Sequence, residues 1–413
     1  MVKKGYKQTE IGVIPEDWAI KYLSDFGKVQ GGGTPSTTMA DYWGGDIAWC
    51  TPSDITSTPT KYINATERAI TDLGLKNSAA TVMPAGSILL CTRATIGELK
   101  INSIPMATNQ GFKNIAINKG GNVDFLYYLL QTKKDRMLEL AIGSTFLEIS
   151  KTALCKIPLQ TPMHSDEQSK IADALSDIDS LVEVLENHIS KKKAIKQGAV
   201  QDLLTGKKRL PGFSGDWIKS NIGSCIIEKP SYGINAPAVD FNGFLPRYIR
   251  ITDISKDGRY CKDAQASVSA ENIEPFLLKT NDIVLARTGA SVGKSYIYDE
   301  HDGRLVYAGF LIKMSIDPQK ADSRFIFGVL HTYDYWKWVA QTSMRSGQPG
   351  INGEEYASYE FRMPSDLKEQ KAIADILTNM DNEIVMLGKK LIKYRQVKQG
   401  MMQQLLTGKI RLV

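Results

Sequence analysis

Four histidines, five cysteines with no C-x-x-C pair and no long apolar run set the first limits on this 413-residue chain. Cys50, Cys91, Cys155, Cys225 and Cys261 are scattered and odd in number, which argues for reduced thiols over a disulfide framework or a zinc site. The histidines are not spaced as metal ligands, so no metal site is expected. The most apolar stretch, FLYYLL at 125–130, is far too short to span a bilayer. The opening MVKKGYKQTEIGVIPEDW is basic with nothing apolar behind it, so no signal peptide is expected and a soluble, cytoplasmic chain is. Proline is missing from 163–210 and from everything after Pro364, which leaves two windows free for long helices. Charge is only mildly one-sided: 51 Lys and Arg against 45 Asp and Glu permit a polyanion partner without demanding one.

The proline-free windows hold the same text twice. EQSKIADALSDIDSLVEVLENHISKKKAIKQGAVQDLLTGKKRL at 167–210 recurs at 369–412, offset by 202 positions without a gap, with about 20 of 44 positions identical. Apolar residues including Ile171, Ile178, Leu185, Ile195 and Leu203 in the first copy follow the three-and-four spacing of a helical face. Ile373, Met380, Leu387, Val397 and Leu405 do the same in the second. Ser165 with Gln168 and Asp366 with Glu369 read as capping boxes, and Gly206 and Gly408 as helix stops. Helices of about 40 residues, about 60 Å long, cannot leave an oily stripe in water, so the two are expected to pair as a coiled coil. The stripe is wider than a two-residue seam and leaves room for helices from a partner.

The remaining segments read as two bodies. The expected division is 1–165 and 211–366 as mixed α/β domains, with 166–210 and 367–413 as helical regions, an α+β chain with pseudo-two-fold symmetry. GSILLCT, NIAINKG, NDIVLART and GFLIKMSI read as strands and 123–139 as a helix. Each body opens alike, IGVIPEDW ending at Trp18 and LPGFSGDW ending at Trp217, and then diverges.

Apparent catalytic patterns fail on spacing. Gly289-Ala-Ser-Val-Gly293-Lys294-Ser295 is one residue short of a phosphate-binding P-loop, whose cradle needs a set number of backbone N–H groups. Asp366 with Glu369 and Lys371 mimics part of a nuclease carboxylate cluster but opens a predicted helix, where acids serve free N–H groups. The N/D-P-P-Y/F signature of adenine methyltransferases, a nucleophile elbow and H-E-x-x-H are all missing, so no catalytic residue is assigned. What remains suits DNA. In the first body, Gly32, Thr34 and Ser36 lie in a tight glycine-rich loop, Thr51 and Ser53 end a strand, Arg93 and Thr95 follow another, and Asn109 and Gln110 follow a turn. In the second, Tyr232, Arg247, Arg250, Arg287, Thr288, Ser291, Arg345, Ser346 and Gln348 fill comparable places. Arg pairs with guanine through two donors and Asn or Gln with adenine, while Ser and Thr more often hold phosphates.

GGGTPST followed by YWGGDIAWCTPSDI, SGQPGING before the second helix, and P-x-x-x-E-Q-x-x-I-A running to QLLTGK together resemble the specificity subunit of type I restriction–modification enzymes. The resemblance spans essentially the whole chain. It implies two target-recognition domains, each reading half of a split DNA sequence, and two helices paired antiparallel that set the spacing between halves. It also implies double-stranded DNA, two modification (methyltransferase) subunits and restriction subunits as partners, with S-adenosylmethionine, ATP and Mg²⁺ on those partners and no cofactor in this chain. The alternatives are a stand-alone DNA-binding regulator or architectural protein and a self-sufficient nuclease or methylase. STFLEISKTAL at 144–154 and RSGQPGINGEEY at 345–356 share no visible pattern.

Overall fold

A computed structural model describes residues 4–143, 147–344 and 348–413. The chain forms two compact units, Met1–Asn187 with Lys389–Val413 and His188–Gly388.

In the first unit a five-stranded sheet runs Gly27–Gly31, Lys113–Ile117, Ile88–Leu90, Leu99–Asn102, Tyr62–Ile63. A three-stranded sheet sets Trp43–Cys50 between Met106–Thr108, parallel to it, and Arg68–Ile70, antiparallel. The apolar run of GSILLCT has a structural reason. Side chains alternate across a strand, so Ile88 and Leu90 enter one core while Leu89 and Cys91 enter another. The second unit repeats the plan. Its four-stranded sheet runs Ser231–Tyr232, Leu311–Ser315, Asp282–Ala286, Ser295–Ile297. Ile283 and Leu285 face one core and Val284 and Ala286 the other. A further sheet pairs Arg247–Ile249 in parallel with Leu305–Tyr307. The helix expected over 123–139 is two, Val123–Gln131 and Lys134–Glu139, since the first ends at Thr132.

The repeated text forms two 39-residue helices, Ser165–Leu203 and Leu367–Leu405. They pair antiparallel: in the first unit Asp179 meets Lys398 and Glu186 meets Arg395, both at 2.6 Å. The second unit has the equivalent ion pairs, Lys196 with Asp381 at 2.6 Å and Lys192 with Glu383 at 2.7 Å. Of the expected seam, Ile171, Ile178, Leu185, Leu203, Ile373 and Leu405 are buried, and Met380 and Leu387 are half-buried. Ile195 and Val397 are not in the seam; they stay 48% and 40% exposed. The neighbouring Lys196 and Lys398 take the facing position, and successive helical residues point about 100° apart.

The helix starts also differ from the expected capping boxes. Asp366 Oδ1 does accept from the Lys368 N–H at 2.8 Å. Gln168 and Gln370, however, each donate to a proline carbonyl behind them, Pro162 and Pro364, at 2.9 Å. Glu167 and Glu369 are buried and paired elsewhere. At the other ends Gly206 and Gly408 turn left-handed at φ 72° and 71°. There Lys208 N–H reaches Asp202 O and Ile410 N–H reaches Gln404 O, one position beyond a Schellman closure, so a carbonyl of each last turn is satisfied from the returning chain.

The returning tail then closes each unit. In the first, the Arg411 guanidinium bonds Glu167 and Asp17, and Glu167 also accepts from Trp18 Nε1 at 3.1 Å. In the second, Arg209 bonds Glu369, which lies 3.5 Å from Trp217 Nε1. Among the described residues no helix is long and apolar enough to cross a membrane.

Candidate DNA-reading site

Both units build their loops on one frame, and the backbone fixes which positions correspond. Asn109 N–H bonds Cys50 O in the first unit, as Ala308 N–H bonds Ile249 O in the second. Gly33 N–H bonds Thr108 O, as Ile234 N–H bonds Tyr307 O. Thr92 N–H bonds Gly111 O, as Arg287 N–H bonds Phe310 O. The two segments with no common pattern prove equivalent as well. Ile149 N–H bonds Thr92 O and Ile351 N–H bonds Arg287 O, each just before a short helix capped by Ser150 or Asn352.

Three loops therefore gather in each unit. In the first they bring together Gly32, Thr34, Asn109, Gln110 and Arg93. Thr34 Oγ1 donates to Gln110 Oε1, Asn109 Oδ1 takes the Gly111 N–H at 2.8 Å, and Asn109 and Arg93 both lie against Gly111. Arg93 is paired with Glu148, whose carboxyl is held below its usual range chiefly by that hydrogen bond. Ser36, exposed further along the loop, bonds Thr38 at 2.9 Å.

In the second unit the same place holds Tyr232, Arg287, Thr288 and Gln348. The Arg287 guanidinium lies 5.0 Å from the Tyr232 ring centre and makes no hydrogen bond or ion pair among the described residues. Tyr232 Oη accepts from the Gly353 N–H at 3.2 Å. Thr288 bridges to Gly350, Gln348 lies beside Gly289, and Ser291 closes the turn by accepting from Lys294 N–H. Arg345 and Ser346 lie outside the described residues.

Other candidates sit apart or are committed. Asp54 accepts from the Thr51 N–H and hydroxyl at 2.7 and 2.6 Å, and Asp253 accepts from the Arg250 N–H and Nε at 2.9 and 2.8 Å. Thr51 and Arg250 are thus equivalent clamps on a buried aspartate, and Arg250 further bonds Ala264 O. Ser53 is exposed next to that clamp. Arg247 donates to Asp302 O and stacks on Phe241. Thr95 Oγ1 is shielded from solvent among the described residues.

No group of three or more His, Cys, Asp and Glu among the described residues is arranged to hold a metal. Gly289–Ser295 makes no phosphate cradle, because the loop enters a strand rather than a helix and Lys294 Nζ bonds Ile254 O at 3.2 Å.

Two copies of one α/β reading frame, each closed by the tail of a long helix, define a tandem recognition protein. Residues 15–196 and 216–393 each match the type I restriction modification DNA specificity domain, and the chain belongs to that family. It is 42% identical over 195 residues to the MjaIX specificity subunit of Methanocaldococcus jannaschii, spanning 46% of this chain and 45% of that one, so about half its length. Against the MjaVIII specificity subunit of the same organism it is 22% identical, covering 97% of this chain and 94% of the other. Its fold matches the crystal structure of the type I S subunit from M. genitalium with a TM-score of 0.60 and 13% identity, covering 94% and 96% of the chains.

Proposed function

We propose that this chain is the DNA-reading part of a type I restriction–modification complex and makes or breaks no bonds itself. Each unit reads one half of a bipartite, asymmetric duplex target. Two modification subunits and the restriction subunits join it in the cytoplasm. S-adenosylmethionine, ATP and Mg²⁺ belong to those partners, which supply adenine methylation and ATP-dependent cleavage.

The observation that carries this reading is one frame with unlike tips. Gly31–Gly32 and Asn109–Gln110 in the first unit stand where Tyr232–Gly233 and Ala308–Gly309 stand in the second. Equal frames with different donors suit two unlike short sequences. Mapping methylated adenines in the host genome with and without the gene tests it; an unchanged pattern would refute it.

Arg287→Ala is expected to cost about 1–3 kcal/mol of specific binding if the free fork reads a base. Duplexes with one half scrambled check this: the variant should lose sensitivity to one half only.

Two copies of a modification subunit are supported by the helices. The first unit leaves Val184 and Val397 exposed, and the second leaves their repeat equivalents Met386 and Ile195 exposed. Ile195→Asp combined with Val397→Asp should abolish co-purification with methyltransferase chains while leaving the fold intact by circular dichroism.

A further inference from the structure

On the first unit's three-stranded sheet, Trp43 and Trp49 meet edge to face with ring centres 4.9 Å apart. Each indole holds the glycine-rich loop. Trp49 Nε1 donates to Gly33 O at 2.9 Å and Trp43 Nε1 to Ser36 O at 3.1 Å. Onto this pair lies Arg68, its guanidinium carbon 3.7 Å from the Trp43 ring centre and 5.2 Å from that of Trp49. Arg68 is exposed, and its guanidinium has no hydrogen bond or ion pair among the described residues. A cation stacked face-on keeps its edge donors free while losing rotational freedom, the state in which a planar fork meets two acceptors at least entropic cost.

The second unit lacks this feature. Trp49 pairs with Arg68 across the sheet. The equivalent of Trp49 is Tyr248, whose hydroxyl donates to Ile234 O. Register places Ala266 opposite Tyr248, since Arg247 pairs with Ser267. Ala266 is buried, and its strand is covered by Ala238–Asp240, whereas Arg68–Ile70 is the outer strand of its sheet. Position 68 is therefore chemically free to differ between the units without disturbing the frame.

We propose that Arg68 is a DNA contact of the first unit, a pre-oriented pair of N–H donors for two adjacent acceptor atoms of the duplex, on a base edge or a phosphate. The inference rests on the DNA-reading function proposed above. The test uses the full chain in the assembly in which it is isolated, with duplexes carrying the mapped target, either half scrambled, at several salt concentrations. Arg68→Ala should weaken specific binding about tenfold or more while leaving discrimination at the other half intact, which also shows that the protein is folded. Arg68→Lys keeps the charge and the stem over Trp43. Failure of Lys to restore discrimination at one half identifies a base edge. Recovery by Lys, with Ala lowering the salt slope by about one at all sequences, identifies a phosphate. Arg68→Ala binding within about twofold of the parent, while Arg287→Ala is impaired, overturns the proposal alone. If neither arginine matters, the DNA-reading function falls and Arg68 falls with it.

Discussion

Arg411→Ala is expected to destabilise the first unit by about 3 kcal/mol, read as a shift of that unit's transition in urea followed by tryptophan fluorescence. The guanidinium bonds Glu167 through Nε at 2.6 Å and Nη2 at 2.8 Å, and Asp17 at 2.6 and 2.8 Å. Removing it leaves Glu167, 3% exposed, with only the Trp18 indole as side-chain donor among the described residues. An uncompensated buried carboxylate costs several kcal/mol; Arg411 is partly open to water, which puts the loss at the lower end. Adding Glu167→Gln should restore much of the stability, because the uncompensated charge goes while an acceptor for Trp18 remains.

The same cluster sets a pH dependence. The hydrogen bond from Arg411, ahead of every other cause, keeps the Asp17 carboxyl below its ordinary value. A carboxyl with a depressed folded pKa contributes stability that is fully present above about pH 4 and is lost as pH falls through the folded value. Arg411→Ala should therefore lessen the acid sensitivity of the first unit below about pH 4, measured by unfolding at fixed temperature across pH 2–6.

The long helices were legible because period and length are local properties: the three-and-four spacing, the proline-free windows and Gly206 and Gly408 all speak within one stretch of chain. Strands such as Asp282–Ala286 were legible as short apolar runs, although the run itself could not say that both faces are covered. Less legible was the rotation of each helix. Ile195 and Val397 satisfy the apolar spacing, but the ion pairs of Lys196 and Lys398 decide which face meets the partner. The candidate contacts divided for a similar reason. Arg287 and Arg250 look alike in sequence, and only the position of Asp253 makes one a clamp and leaves the other free. A hint was present, since Thr51-x-x-Asp54 and Arg250-x-x-Asp253 share the spacing of a cap. Arg68 carried no such hint: its strand is three residues long, and its value depends on Trp43 and Trp49 arriving from elsewhere.

Gly32→Ala should remove reading by the first unit altogether, and Gly233→Ala should do the same to the second. Neither glycine needs a left-handed backbone; both are needed for close approach. A Cβ on Gly32 would stand 2.0 Å from Asn109 O and 2.2 Å from Thr108 Oγ1, and one on Gly233 would stand 2.2 Å from Ala308 O. Backbone atoms of a sheet edge cannot yield as a flexible side chain can, so the loop itself must move, at a cost of about 3 kcal/mol. In the first unit that motion separates Thr34 from Gln110 and shifts Asn109, the groups proposed to contact DNA. The distinguishing result is reciprocal. On duplexes with one half scrambled, the Gly32 variant should be indifferent to one half and still discriminate at the other, and the Gly233 variant should show the reverse. Loss of both halves from either substitution would mean that the units do not read independently.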